Sequence, residues 1–273
     1  MSDKSQLAEL LDLLDLETIE HNIYRGYHPA GRTRRLFGGQ IVAQALIAAC
    51  RTVSEDRLPH SLHAYFLRPG DPSVPALFEV ERIREGKSFT TRRIVVVQNG
   101  KAIFNMDASF QRPEKGLEHQ LDMHDLSPPD ESNLVEGLRQ RPFLSWREDH
   151  NRLSGDLPQE PTQHIWIKGN GVAPEDVRLN LALLAYQSDE ALLGTSRLPH
   201  RGKYDLENMQ VASLDHSIWF HHSVSVNDWL LYSLDSPAAS GARGYTRGTI
   251  HTADGKLVAS CMQEGLIRIR RME

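Results

Sequence analysis

The sequence predicts an α+β fold of two similar units in tandem, each an antiparallel sheet wrapped around one long helix. Three observations support this prediction: a helix that is apolar on nearly every side, hairpin turns between alternating strands, and a second half with the same order of elements. The 273 residues are enough for one large core or two ordinary ones, and the repeat favours two.

Two helices open the first half. The first is amphipathic, because its leucines are spaced three and four residues apart: Leu7, Leu10, Leu11 and Leu14. Ser5 or Ser2 can cap it. The second helix, within residues 35–53, is rich in alanine and apolar nearly all round, so other elements must surround it. We interpret Gly38–Gly39, which precede it, as a backbone turn.

Alternating apolar and polar residues then predict a run of antiparallel strands: His60–Leu67, Leu77–Arg84, Phe89–Gln98 and Lys101–Phe110. Asn99–Gly100 joins the last two and is the strongest short-range signal of a hairpin. The first predicted unit therefore covers residues 1–111.

Residues 112–162 are predicted to be a crossover linker. The segment contains many charges, only short apolar patches such as Phe143–Trp146, and six prolines: Pro113, Pro128, Pro129, Pro142, Pro158 and Pro161. This composition predicts at most one or two helical turns and indicates a boundary between two structured halves.

The second predicted unit, residues 163–273, repeats the pattern of the first. A short strand, His164–Lys168, is followed by a helix over Glu175–Glu190 that begins after Pro174. The remaining segments alternate as strands: Met209–Phe220, Trp229–Ser236, Gly241–Thr252 and Lys256–Arg270. Asp254–Gly255 joins the last two strands, as Asn99–Gly100 does in the first half.

Composition and charge exclude several classes of protein. Lys and Arg total 31 against 36 Asp and Glu, and the net charge of −5 argues against a nucleic-acid partner. No apolar window is long enough for a membrane span, and the acidic N-terminus is unlike a signal peptide. The two cysteines are far apart and the C-terminus is not a peroxisomal Ser-Lys-Leu signal, so we expect a cytoplasmic protein with reduced thiols.

Common catalytic motifs are absent from the sequence. It contains no GxSxG elbow, no P-loop or GxGxxG loop and no HExxH, so neither a bound cofactor nor a metal ion is expected. The histidines within residues 215–222 are more typical of structural positions than of a metal site. Cys50 and Cys261 lie in apolar runs, where a thiol is usually unreactive.

Three polar residues stand out against apolar surroundings. Asp189 lies near the end of a predicted helix, where a negative charge is mildly unfavourable. When the two long helices are superimposed, Leu46 takes the place of Asp189, so only the second half carries a carboxylate there. Ser213 and Gln263 interrupt apolar strands, and each alone fits a structural or a functional role.

Several longer motifs resemble the type II acyl-CoA thioesterases. In the first half these are Leu36-Phe37-Gly38-Gly39-Gln40, His63-Ala64-Tyr65-Phe66-Leu67-Arg68-Pro69-Gly70-Asp71, Gly86-Lys87-Ser88-Phe89 and Ala108-Ser109-Phe110-Gln111. In the second half they are Leu214-Asp215-His216-Ser217-Ile218-Trp219-Phe220-His221 and Gln263-Glu264-Gly265. The resemblance covers nearly the whole chain and is weakest in the crossover.

The resemblance implies a double hot-dog fold and hydrolysis of fatty acyl-CoA to free acid and CoA. It also implies that Asp189, Ser213 and Gln263 together position and activate a water molecule, with Ser213 standing where some members have threonine. By the same analogy, we expect a homodimer or homotetramer.

The substrate itself requires an apolar tunnel and basic residues at its mouth. We expect Trp219, Phe220 and residues of the second helix to line the tunnel in part. The candidates for contacts with the CoA phosphates are Arg68, Arg92, Arg93 and Arg243. Two alternatives remain open at this point: an enoyl-CoA hydratase using an Asp215–His216 pair, and a non-catalytic acyl-CoA-binding protein.

Overall fold

A computed structural model describes residues 5–29, 35–130, 141–147, 157–204 and 208–270. Within them the helices are α1 (Gln6–Leu14), α2 (Gly38–Cys50), α3 (Val177–Ser188) and the short α4 (Leu192–Thr195), which a 3₁₀ turn at Leu198–His200 follows. The strands of the first half are β1 (Glu17–Glu20), β2 (Ile23–Gly26), β3 (Leu58–Phe66), β4 (Ala76–Glu85), β5 (Phe89–Gln98) and β6 (Lys101–Gln111). Those of the second half are β7 (Phe143–Trp146), β8 (Thr162–Gly169), β9 (Met209–Ser213), β10 (Asp215–Phe220), β11 (Leu230–Ser240), β12 (Arg243–Thr252) and β13 (Leu257–Ile269).

All of these strands belong to one antiparallel sheet, in the order β1-β2-β4-β5-β6-β3-β10-β13-β12-β11-β8-β7, with β9 beside β13. From the central strands β3 and β10 outward, one half runs β3-β6-β5-β4-β2-β1 and the other β10-β13-β12-β11-β8-β7, so the strand order of one half repeats that of the other. The halves join where β3 pairs with β10, from Tyr65 opposite Asp215 to Ser61 opposite Trp219. The predicted duplication is therefore confirmed, and the two units share a single continuous sheet.

The two long helices lie on the same face of this sheet and run antiparallel to each other. Gly39 at the start of α2 donates a backbone hydrogen bond to Asp189 at the end of α3. At the other end, the Arg178 guanidinium donates to the carbonyl oxygen of Cys50, which ends α2. Nearly every residue of α2 is buried, as the apolar sequence predicted.

The interpretation of Gly38–Gly39 as a turn is wrong, because these residues are the first two of α2. Their small size serves a close approach between helices. A Cβ atom on Gly39 would lie 2.1 Å from the carbonyl oxygen of Tyr186 in α3. Only glycine lets the start of α2 come this near to the end of α3.

The hairpin prediction at Asn99–Gly100 is confirmed, since both residues have positive φ, 49° and 70°, as a tight two-residue turn requires. A second hairpin, between β1 and β2, was not predicted. It turns at Asn22, with φ 62°, and its strands are only four residues long. Strands this short show too few alternations to reveal their periodicity.

Two further predictions about the strands are wrong. Phe143–Trp146, assigned to the crossover, forms the edge strand β7 beside β8. Met209–Phe220 forms two strands, β9 and β10, with Leu214 between them. The Leu214 N–H donates to the Glu264 carbonyl oxygen, and the Leu214 carbonyl oxygen accepts from the Phe66 N–H. Any helical turns over residues 131–140 and 148–156 lie outside the described residues. The division at residues 111 and 162 stays a prediction.

The superposition of the helices also proves out of register. Asp189 is the residue that caps the C-terminal end of α3, and the residue at the matching end of α2 is Arg51, whereas Leu46 lies inside α2. A carboxylate is still present at only one of the two helix ends.

Candidate active site

Asp189 is held at the meeting point of three elements. It follows the last residue of α3, and the Gln263 side chain on β13 donates from Nε2 to its Oδ1 atom at 2.6 Å. The backbone N–H of Gly39, in the first turn of α2, donates to its Oδ2 atom at 2.9 Å. One donor on each oxygen fixes the plane of the carboxylate, which remains partly exposed.

Burial raises the pKa of Asp189 from its ordinary value to about 6. The hydrogen bonds from Gln263 and Gly39 act in the opposite direction, because they stabilise the charged form, and the nearby Glu190 carboxylate adds to the rise. A carboxylate with this pKa is ionised at neutral pH and is a better proton acceptor than an ordinary one. This is the tuning expected of a general base.

Ser213 and Gln263 lie close to each other on the neighbouring strands β9 and β13. Ser213, at the end of β9, is the register partner of Gly265, two residues beyond Gln263 on β13. Ser213 and Asp189 line one cavity, and Gln263, only 1% exposed, lies behind the carboxylate. The structure therefore brings all three predicted residues together. Of these three residues, as the structure describes them, only Asp189 and Gln263 are joined by a direct hydrogen bond.

The cavity has a volume of about 600 Å³ and is mainly apolar. Its apolar lining includes Leu36, Phe37, Ile41, Phe66, Ile103, Phe104, Leu193 and Leu214. A Cβ atom on Gly38 would lie 2.7 Å from the Asp189 Oδ2 atom and 3.0 Å from the Phe66 ring. Glycine at this position therefore keeps the carboxylate accessible from the cavity.

A strained turn after Asp189 forms part of the cavity wall. Ala191 has φ 75°, in the left-handed region that favours glycine. Its carbonyl oxygen accepts hydrogen bonds from the Thr195 hydroxyl at 2.9 Å and from Gln163 Nε2 at 3.4 Å. No sequence signal pointed to this turn, since alanine is common in helices. Backbone strain of this kind is often found at functional sites.

Of the four arginines proposed for CoA, only Arg68 lines the cavity, and Arg35, which the sequence reasoning missed, lies there too. The other three have partners elsewhere. Arg92 is fully buried and bonds to Thr52 and Glu85, while exposed ion pairs hold Arg93 to Asp107 and Arg243 to Glu264.

The expected tunnel residues Trp219 and Phe220 do not line this cavity. Trp219 packs edge-on against His63 across the β3–β10 junction, with ring centroids 5.1 Å apart. Phe220 is part of the hydrophobic core. From the second helix, Gly38 and Ile41 line this cavity.

Cys50 and Cys261 are free and buried, as predicted. Burial raises the pKa of each thiol to about 12, so neither is a thiolate at neutral pH. This environment does not suit a nucleophile.

Asp215 and His216 do not form a catalytic pair. Asp215 Oδ1 accepts from the Glu264 backbone N–H at 2.6 Å, whereas the fully buried His216 ring bonds to Ser188 at 2.9 Å. As successive residues of β10, their side chains point to opposite faces of the sheet.

The described ranges contain no group of three or more His, Cys, Asp or Glu side chains arranged to hold a metal ion. Nor does any helix in those ranges have the length and apolarity needed to cross a membrane.

The two long helices on one continuous antiparallel sheet define a double hot-dog fold. A protein from Alicyclobacillus acidocaldarius described as having a hot-dog fold superimposes with a TM-score of 0.80 over 96% of this chain and 99% of its own, at 17% identity. That likeness establishes the fold.

Residues 139–266 match the acyl-CoA thioesterase family, and residues 26–111 match the acyl-CoA thioesterase N-terminal domain. Acyl-coenzyme A thioesterase 8 of Mus musculus is 42% identical, over 94% of this chain and 88% of its own. Acyl-CoA thioesterase 2 of Haemophilus influenzae is 41% identical, over 96% of this chain and 98% of its own. An acyl-CoA thioesterase II from Mycobacterium marinum superimposes with a TM-score of 0.83 at 41% identity, covering 97% of this chain and 99% of its own. The chain belongs to the acyl-CoA thioesterase family.

Proposed function

We propose that this thioesterase hydrolyses fatty acyl-CoA by direct attack of a water molecule that Asp189, Ser213 and Gln263 position and activate. The observation that carries the proposal is the Asp189 carboxylate, fixed by one donor on each oxygen and open to an apolar cavity. Its raised pKa, about 6, suits a base that works near neutral pH.

In the proposed reaction, Asp189 takes a proton from the water as the oxygen attacks the thioester carbonyl carbon. The C–S bond then breaks, the acid is released, and the CoA sulfur leaves with the proton that Asp189 took, which restores the carboxylate. The Ser213 hydroxyl, on strand β9 next to β13, orients the water. Gln263 holds the carboxylate in place through its amide N–H.

The negative charge that develops on the carbonyl oxygen needs hydrogen-bond donors. Two groups near Asp189 are candidates: the second hydrogen of the Gln263 amide, whose first is donated to Asp189, and the N–H groups in the first turn of α2 other than that of Gly39, which also donates to Asp189. The positive end of that helix favours an anion at this point, and one such donor is typically worth about 3 to 4 kcal/mol.

Replacing the base tests the proposal. Asp189→Ala should lower kcat for palmitoyl-CoA by about 10² to 10⁴-fold, the usual contribution of a general base, in a thiol-release assay. The matched control is Asp107→Ala, which removes a carboxylate paired with Arg93 on the exposed side of the sheet and should keep wild-type turnover. Near-normal turnover by the Asp189 variant would contradict the assignment.

Replacing the thiols separates water attack from covalent catalysis. Cys50→Ala and Cys261→Ala should both retain hydrolysis, because both thiols are buried and protonated at neutral pH. Trapping an acyl group on either sulfur would refute direct water attack.

A hydratase is disfavoured because the Asp215 and His216 side chains point to opposite faces of the sheet. A non-catalytic binder would retain acyl-CoA without releasing thiol.

Arg35 and Arg68 are the proposed contacts for the CoA phosphates, because both lie at the cavity. Arg68→Ala should raise KM for acyl-CoA and leave kcat nearly unchanged. The same variant should show no KM effect with an acyl-pantetheine substrate, which lacks the nucleotide. Equal effects on both substrates would place Arg68 away from the phosphates.

We also propose that the protein is a cytoplasmic homodimer or homotetramer. Support for association comes from the centre of the sheet, where Tyr65 and Met262 are 59% and 36% exposed on strands β3 and β13. Support for a reducing compartment comes from the two unpaired, buried cysteines. Light scattering on the purified protein and localisation of an N-terminally tagged chain test the two statements.

A further inference from the structure

Side chains from three strands of the sheet, β10, β13 and β11, pack under the last turn of α3. The Tyr232 hydroxyl, on β11, donates to the carbonyl oxygen of Ser188 at 2.7 Å. The His216 ring, on β10, bonds through Nε2 to the Ser188 hydroxyl at 2.9 Å. Cys261, on β13, lies with its sulfur 2.9 Å from the Tyr232 hydroxyl. Ser188 is the residue immediately before Asp189.

The direction of each hydrogen bond follows from the donors available. The Ser188 hydroxyl donates to the carbonyl oxygen of Ala185 at 2.9 Å, so it accepts from the N–H at Nε2 of His216. Burial lowers the pKa of His216 to about 4, which keeps the ring neutral. The single proton of the Tyr232 hydroxyl is used on Ser188, while the Cys261 sulfur lies within hydrogen-bond distance of both the Tyr232 hydroxyl and the Gly248 carbonyl oxygen.

The position of the Tyr232 ring depends on a glycine in the neighbouring strand. A Cβ atom on Gly248 would lie 2.5 Å from the ring. Tyr232 itself is fully buried, and phenylalanine would fill the same volume. What tyrosine adds to packing is therefore only the hydroxyl, and its donor is used on the carbonyl next to Asp189.

A helix leaves its last carbonyl groups without partners, and their partial negative charges oppose a carboxylate placed there. The Ser188 carbonyl belongs to the peptide bond that leads into Asp189, and Tyr232 is its hydrogen-bond donor. We propose that Tyr232 is a positioning residue for Asp189: its hydroxyl fixes the Ser188–Asp189 peptide and offsets the carbonyl charge beside the carboxylate. The inference rests on the proposed role of Asp189 as the base.

Among the described residues, Arg35 and Arg68 line the same cavity as Asp189, and further groups face Asp189 from α2, β13 and β11. From α2 it receives the Gly39 N–H and from β13 the Gln263 amide, while Cys261 and Tyr232 are neutral. Glu190 is the charged neighbour that affects it, and Arg141 pairs with Glu190. Loss of the Tyr232 hydroxyl should therefore act on Asp189 through the Ser188 carbonyl.

The test is Tyr232→Phe, compared with Tyr245→Phe on the exposed side of β12, whose hydroxyl contacts the Met262 sulfur. The Tyr232 variant should lose about ten- to a hundredfold in kcat with little change in KM, as misplacement of a catalytic group does. The acid limb of its pH–rate profile should move to higher pH, because an uncompensated carbonyl disfavours the carboxylate. The Tyr245 variant should match the wild type in both measurements.

A second measurement keeps the inference testable if Tyr232→Phe folds poorly. Fluorotyrosine at position 232 keeps the ring and makes the hydroxyl a stronger donor, so it should move the acid limb to lower pH. An acid limb and kcat that match the Tyr245→Phe control, or no shift with fluorotyrosine, would overturn the positioning role. Full activity of Asp189→Ala would instead overturn the proposed function itself, so the two failures are distinguishable.

Discussion

Asp189→Asn should make the protein more stable at pH 8 while removing its activity. The folded protein keeps a carboxylate at a site where burial raises the pKa from 3.8 to about 6. Each pKa unit corresponds to about 1.4 kcal/mol, so ionisation at this site costs up to about 3 kcal/mol of the free energy of unfolding at high pH. Asparagine removes this cost, but its single carbonyl oxygen can accept from Gly39 only, and its NH₂ group pairs with Gln263 only after that amide turns its Oε1 atom inward. This weaker hydrogen bonding leaves an expected gain of about 1 to 2 kcal/mol.

The pH dependence of this gain has a definite sign. Because the pKa of Asp189 is higher in the folded than in the unfolded state, its contribution to stability is complete below about pH 4 and is lost as pH rises through about 6. The advantage of asparagine should therefore be present at pH 8 and absent at pH 4.

Denaturant unfolding at both pH values, followed by fluorescence and compared with thiol release, measures the effect. Asp107→Asn, in its exposed pair with Arg93, is the control and should change stability by less than about 1 kcal/mol. A destabilised Asp189→Asn protein at pH 8, or an advantage that grows as pH falls, would show that ionised Asp189 does not destabilise the folded protein.

Three further predictions concern the surroundings of this carboxylate. The kcat/KM of the wild type should fall tenfold per pH unit below about 6, where Asp189 becomes protonated, and a profile flat to pH 4.5 would exclude it as the base. Gly39→Ala should lower stability by about 1 to 3 kcal/mol and reduce kcat, because its Cβ atom would collide with the Tyr186 carbonyl and move the N–H away from Asp189. Arg178→Ala should cost a similar 1 to 3 kcal/mol in a thermal melt, since it leaves carbonyl groups after α2 unpaired, while kcat stays within twofold because this end of α2 lies away from Asp189.

The sequence allowed the duplicated architecture to be predicted because its signals were local. Turn residues at Asn99–Gly100 and Asp254–Gly255, and the apolar circumference of α2, depend on neighbours a few residues away. The short strands β1, β2 and β7 were not predicted as strands, because four residues show little periodicity. Gly38–Gly39 were assigned to a turn because the need for glycine comes from Tyr186, far away in the sequence.

The residues of the candidate site also fall into two groups: those that the sequence revealed and those that only the tertiary structure brings together. Asp189 was visible as a carboxylate at a helix end, and the family motifs supplied Ser213 and Gln263. Arg35 and the strained turn at Ala191 were missed, because only the tertiary structure brings them to the cavity. Likewise, the pairing of β3 with β10 alone shows that Trp219 packs on His63 rather than lining the cavity.

In the proposed mechanism, Asp189 activates water and does not itself attack the thioester. A single turnover in ¹⁸O-labelled water, with the enzyme in molar excess over palmitoyl-CoA, tests this directly by mass spectrometry of the acid and of the peptide that contains Asp189. Direct attack by water places one ¹⁸O atom in the palmitate of the first turnover and none in Asp189. Unlabelled palmitate together with ¹⁸O in the Asp189 carboxylate would show an acyl-enzyme anhydride and contradict the account.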